Sequence, residues 1–144
     1  MKKALGFSIL EIIIVLAILV VISALFVPSY YHFQESNNLN AAFNLINNSL
    51  SRTQIKSQSI ENDSSWGIKI QGNQLTVFGG ASYASRDVNL DELINLPPKI
   101  SFSGLNEIIF SKLLGYPNTT GTISLINGLN QSKIITINEK GVIQ

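Results

Sequence analysis

Phe7-Ser8-Ile9-Leu10-Glu11-Ile12-Ile13-Ile14-Val15-Leu16-Ala17-Ile18-Leu19-Val20-Val21-Ile22-Ser23-Ala24-Leu25-Phe26-Val27 is the stretch on which the fold turns. As a helix rising about 1.5 Å per residue it spans roughly 31 Å. The hydrocarbon core of a bilayer is about 30 Å thick. Glu11 is its only ionisable side chain, and Lys2 and Lys3 lie just before it. By the positive-inside rule those lysines keep the N-terminus cytoplasmic and send the rest of the chain outward.

Two readings compete for such a segment. A secretory signal peptide has a basic start, an apolar middle and a small-residue cleavage site, for which Ile22-Ser23-Ala24 is a poor fit. The alternative is a helix that stays in the membrane. Glu11 favours the second, because an acid near the start of an apolar core costs about 2.5–3.5 kcal/mol on insertion scales. A carboxylate retained at that cost needs a cationic partner, and an unpaired one would neutralise instead.

The whole chain of 144 residues is about one domain long. Ten Lys and Arg against nine Asp and Glu give a net charge of +1. Charged residues make up only 13%, against about 25% in ordinary soluble domains. From Ser29 onward eight acids balance eight bases, so there is no basic stripe for nucleic acid. With no Cys and a single His, disulfide frameworks, zinc-cysteine sites, thiol nucleophiles and His-rich metal cages are excluded. No cofactor, metal site or catalytic group is expected. Asp87, Asp91 and Glu92 read as a solvated face rather than an acid-base pair, and His32 as an exposed or packing residue.

The hexapeptide Gly6-Phe7-Ser8-Ile9-Leu10-Glu11, with the basic residues before it and the apolar run after it, resembles the cleavage motif of type IV prepilins and type II secretion pseudopilins. The resemblance implies a leader, residues 1–6, cut after Gly6 by a prepilin peptidase that then N-methylates Phe7. It implies assembly through the N-terminal helix with other pilin or pseudopilin subunits on an inner-membrane platform. In that setting Glu11 pairs with the freed ammonium of Phe7 on a neighbouring subunit and sets the register of the filament. The implied location is the bacterial inner membrane, single-pass with the head periplasmic, and then a pilus or pseudopilus.

Working outward, Pro28 follows the apolar run and predicts a helix kink, because proline removes a donor and crowds the preceding turn. Leu39, Phe43, Ile46 and Leu50 then recur at helical spacing. One helix from Phe7 to about Ser59 is expected, with residues 7–28 as its transmembrane half and 29–60 as its amphipathic half. Tyr30, Tyr31 and Phe33 fit an interfacial belt or helix packing equally well.

From Trp66 the hydrophobic period changes to two. Trp66, Ile68 and Ile70, then Leu75 and Val77, flank the turn Gln71-Gly72-Asn73 and read as a hairpin. Asp87 to Leu96 is less regular. Ile100–Phe102 and Ile108–Phe110 read as strands, and Thr122–Ile126 with Lys133–Asn138 as a second hairpin. Val142-Ile143 would end the sheet. The fold class is α+β, a pilin-like fold with a long helix packed on an antiparallel β-sheet head spanning 61–144.

The head resembles the GspH/FimT branch of minor pseudopilins and minor pilins in Leu50-Ser51-Arg52-Thr53-Gln54, the Trp66 hairpin, the Gly115 loop, Gly121–Leu125 and Gly141-Val142. Some members bind DNA through a C-terminal Gly-Arg-x-Arg pattern. Here Gly141-Val142-Ile143-Gln144 carries no arginine, so DNA binding is not expected. The expectation is a structural subunit and not an enzyme. The alternatives are an adhesive or DNA-uptake minor pilin, or a single-span anchored binding protein that never polymerises.

Overall fold

The computed structural model describes residues 8–141, without the side chains of residues 25–28. The expected cleavage pair Gly6 and Phe7 and the expected strand at Val142-Ile143 lie outside these residues, as does the side chain of Pro28. By its internal contacts the chain divides into two units, Met1–Gln34 and Glu35–Gln144.

Helix α1 is Ile9–Gln58, and its helical backbone continues through Pro28. It ends where Ile60 takes a left-handed φ of 57° and a 3₁₀ turn, Glu61–Asp63, follows. Seven strands come next: β1 Trp66–Gln71, β2 Gln74–Gly79, β3 Asp87–Asn95, β4 Ile100–Gly104, β5 Glu107–Phe110, β6 Gly121–Asn127 and β7 Ser132–Ile137. The irregular stretch after Gly80 is thus a nine-residue strand, β3, whose register against β2 shifts between Val77 and Gly79.

The strands form two antiparallel sheets, ordered β3-β2-β1-β5 and β4-β6-β7, where the sequence pointed to one. The division falls between β4 and β5, where Leu105-Asn106 carries the chain from the second sheet into the first. In the first sheet Ile68 stands opposite both Val77 and Ile108, and Trp66 opposite Gly79 and Phe110. Alternation places these residues on one face. The predicted stripe of α1 does its expected work: Leu39, Ile46 and Leu50 are buried with Ala42, and Phe43 is partly buried. They share one core with Trp66, Ile68, Phe110, Ile123, Leu125 and Ile135. Each such fully buried aliphatic side chain is worth about 1.5–3 kcal/mol relative to exposure.

Candidate functional site

In the N-terminal unit, the first turn of α1 is opened by the Ser8 carbonyl, which accepts from the N–H groups of Glu11 at 3.0 Å and Ile12 at 3.2 Å. Glu11 therefore sits at the positive end of the helix dipole, where a carboxylate is favoured. No described residue pairs with it. Ile9, Leu10, Ile13, Leu16, Leu19 and Val20 are all more than half exposed. None of the most apolar 18-residue window is buried inside the protein, and the helix is long and apolar enough to cross a membrane. Tyr30, Tyr31, His32 and Phe33 are exposed too, with Tyr31 and His32 edge to face at 6.4 Å.

In the head, the buried seam of α1 continues through polar residues that a hydrophobic pattern does not register: Glu35, Ser49, Thr53 and Ser57. Thr53 donates to the Ser49 carbonyl at 2.6 Å. Ser57, fully buried, donates to the Phe110 carbonyl at 2.6 Å and accepts the Trp66 N–H at 2.9 Å. Trp66 and Phe110 oppose each other at the end of the β1–β5 ladder, so one hydroxyl fastens the helix to the sheet. Gln54 acts similarly: its amide donates to the Gly115 carbonyl at 3.0 Å and to the Lys140 carbonyl at 3.3 Å. Gly115 and Gly141 have φ of +66° and +75°, and a Cβ on either would strike the Gln58 or Gln54 side chain. Thr53-Gln54, the Gly115 loop and Gly141, far apart in sequence, thus meet at the C-terminal end of α1.

Glu35 is 2% exposed. Its Oε1 lies 3.4 Å from Lys99 Nζ, its Oε2 is buried without a hydrogen bond, and its backbone carbonyl accepts from Asn127 at 3.2 Å. Lys99 is largely exposed, so the two partners are not equivalent. Lys99→Met leaves a buried carboxylate without its cation and is expected to cost about 1–3 kcal/mol. Glu35→Met removes the buried charge itself and is expected to be neutral or stabilising. Urea midpoints of the two variants check the asymmetry, and equal losses would contradict it.

The outer face of the first sheet carries a clasp of ion pairs and rings. Arg86 Nε donates to both oxygens of Asp91, at 3.0 and 2.8 Å, and its guanidinium lies 3.8 Å from the Tyr83 ring centre. The Asp91 hydrogen bonds raise the Arg86 pKa against the burial that lowers it. The reading of Asp87, Asp91 and Glu92 as a solvated face is corrected at Asp91. Its side chain is only 10% exposed because the guanidinium covers it. Glu92 pairs with Arg52 at 2.6 Å, and Asp87 accepts from the Asn89 N–H at 3.0 Å.

Glu107 joins the clasp through the Tyr83 N–H at 3.0 Å and Lys69 Nζ at 3.1 Å. Burial pushes its carboxyl up, but the Tyr83 N–H and the Lys69 ammonium outweigh it, so its pKa lies below the ordinary 4.5. A carboxylate lowered by folding adds stability above its unfolded pKa and loses it as pH falls through the folded value. Thermal melts from about pH 6 down to about pH 3 should show wild type above Glu107→Gln, with the gap closing below the ordinary value of 4.5. A gap that stays constant would refute the assignment.

Among the described residues no three His, Cys, Asp or Glu gather as a metal-binding group. In the head, Arg52–Glu92, Lys56–Glu61, Lys69–Glu107, Arg86–Asp91, Lys99–Glu35 and Lys112–Asp63 form ion pairs, and a groove of about 430 Å³ is lined by the uncharged residues Ile70, Gly72 and residues 100–106. No protein-family pattern, curated protein or solved structure matches this chain.

Proposed function

We propose that the chain is a structural subunit, a minor pilin or pseudopilin, of a type IV pilus-like or type II secretion filament. The observation that carries this reading is Gly6-Phe7-Ser8-Ile9-Leu10-Glu11 between Lys2-Lys3 and an unbroken apolar run. The exposure of that run along α1 supports it, since an apolar surface of this size needs lipid or other helices to cover it. A prepilin peptidase cuts after Gly6 and methylates Phe7. The helix then holds the subunit in the membrane until the assembly platform draws it into the filament. Glu11 serves as the intramembrane charge that meets the new N-terminus of a neighbour, because low dielectric strengthens such a pair. The head contributes packing and contacts rather than chemistry.

Quantitative mass spectrometry of filaments sheared from cells tests this. A trace amount beginning at methylated Phe7 is the expected result. Dominance in that fraction would make the chain the major subunit. An intact Lys2-Lys3 terminus confined to the membrane would overturn the reading in favour of a non-polymerising anchor.

A further inference from the structure

Glu35 on α1, Lys99 in the turn before β4 and Asn127 at the end of β6 come from distant parts of the chain and meet in the head. The Glu35 carboxylate is buried, and its Oε2 has no hydrogen bond. Buried polar atoms are nearly always satisfied, so an orphan of this kind calls for a physical reason. The other oxygen, Oε1, lies 3.4 Å from Lys99 Nζ. Asn127, 4% exposed, donates from Nδ2 to the main-chain carbonyl of Glu35 at 3.2 Å. An amine and a primary amide thus converge on one buried acid.

The strands fix this meeting. Ile100 stands opposite Asn127 in the β4–β6 ladder, so Lys99 directly precedes the cross-strand partner of Asn127. Pro97-Pro98 come before it, and Lys99 itself takes a left-handed φ of 62°. A residue other than glycine stays in that region only where its surroundings hold it there. Asn127 closes the turn between β6 and β7. Its Oδ1 accepts the Leu129 N–H at 3.0 Å and the Gln131 N–H at 2.9 Å, and its Nδ2 donates to Gln131 Oε1 at 2.8 Å. Two main-chain N–H groups aimed at one carbonyl oxygen stabilise negative charge that develops there.

We propose that Lys99 and Asn127 join in an isopeptide bond, which the chain forms on itself with Glu35 as general base. Glu35 takes a proton from the Lys99 ammonium, which frees the amine electron pair and removes both charges from a site where an ion pair is costly to bury. A nucleophile next to its base is the arrangement that covalent chemistry requires. The Nζ–Cγ bond forms as the carbonyl electron pair moves onto Oδ1, against the Leu129 and Gln131 N–H groups. Glu35 passes its proton to Nδ2 and accepts one from the added Nζ. The carbonyl re-forms, the Cγ–Nδ2 bond breaks, and ammonia leaves, taking the Glu35 proton with it as ammonium. One amine and one primary amide give one secondary amide and ammonia, so the balance needs no co-reactant. Lys99→Met and Glu35→Met both lack the bond, so the urea difference between them still reports the buried charge, with wild type before the bond forms as reference. The inference is independent of the filament reading, and either can fail alone.

The test is mass spectrometry of the full chain in detergent micelles, on the intact protein and on its tryptic peptides. Wild type is expected to settle below the mass of its sequence by one ammonia, with the peptides that hold Lys99 and Asn127 joined and no cleavage after Lys99. Lys99→Arg keeps a cation beside Glu35 but has no amine to acylate, so it should hold the full mass. Glu35→Gln keeps the shape and loses the base, and should form the bond about a hundredfold more slowly. Wild type kept unfolded in urea should not form it. A settled wild-type spectrum at full mass would overturn the proposal, whether or not the variants fold. So would ammonia loss that persists in Lys99→Arg, because ring closure between Asn127 and the Gly128 nitrogen gives the same mass without the lysine. Bond formation at the wild-type rate in Glu35→Gln, or in urea, would overturn it as well.

Discussion

If the chain assembles as proposed, Glu11→Ala protein should be made, inserted and processed like wild type, yet reach sheared filaments at less than about a tenth of the wild-type level. The figure follows from low dielectric. Removing one member of a buried ion pair leaves the other uncompensated and costs about 3–5 kcal/mol. About 1.4 kcal/mol already lowers an equilibrium tenfold. The substitution leaves the helix intact, because alanine is the best helix former and Glu11 has no partner among the described residues. Membrane fractions and sheared fractions from the same cells separate the effects. Normal processing with lost incorporation is the expected result. Incorporation equal to wild type would remove Glu11 from the assembly step. Failure of processing as well would move its role to recognition by the peptidase.

Ser57→Ala should destabilise the head by about 2 kcal/mol, since the Trp66 N–H and Phe110 carbonyl then lose a buried partner. For a unit of this size that corresponds to a fall in melting temperature of about 10 °C. Ser51→Ala is the matched control. Ser51 is exposed and its hydroxyl only bonds back to the Asn47 carbonyl, so its loss should stay within about 0.5 kcal/mol. Equal effects of the two substitutions would mean that the Ser57 hydroxyl contributes nothing beyond an ordinary helix serine.

These two serines show where a linear reading loses its grip. In sequence Ser51 and Ser57 are the same residue type on the same helix. Only the strands arriving from Trp66 and Phe110 make one of them a fastener. Glu35 is similar: nothing near it in sequence announces that Lys99 and Asn127 meet it. Asp91 read as a solvated acid because nothing local announces that Arg86 and Tyr83 fold back on it. The irregular Asp87–Asn95 strand hid for a related reason. Its exposure pattern does not alternate, because its position at the edge of the first sheet and its shifted register break the period.

What the sequence determined by itself is what short-range physics dictates. An apolar run with one carboxylate must be helical and needs lipid or other helices to cover it. Leu39, Phe43, Ile46 and Leu50 must turn one face inward. The Trp66 and Thr122 segments must pair as hairpins, because their periods are two and their turns are close. The tertiary structure alone decided how the strands divide into two sheets and which polar groups of α1 are buried. Those outcomes depend on pairings between residues distant in sequence, such as Ile70 with Asn106 and Ser57 with Phe110. Side-chain periodicity reports which face a residue takes. It carries no record of which distant backbone its N–H and C=O will meet.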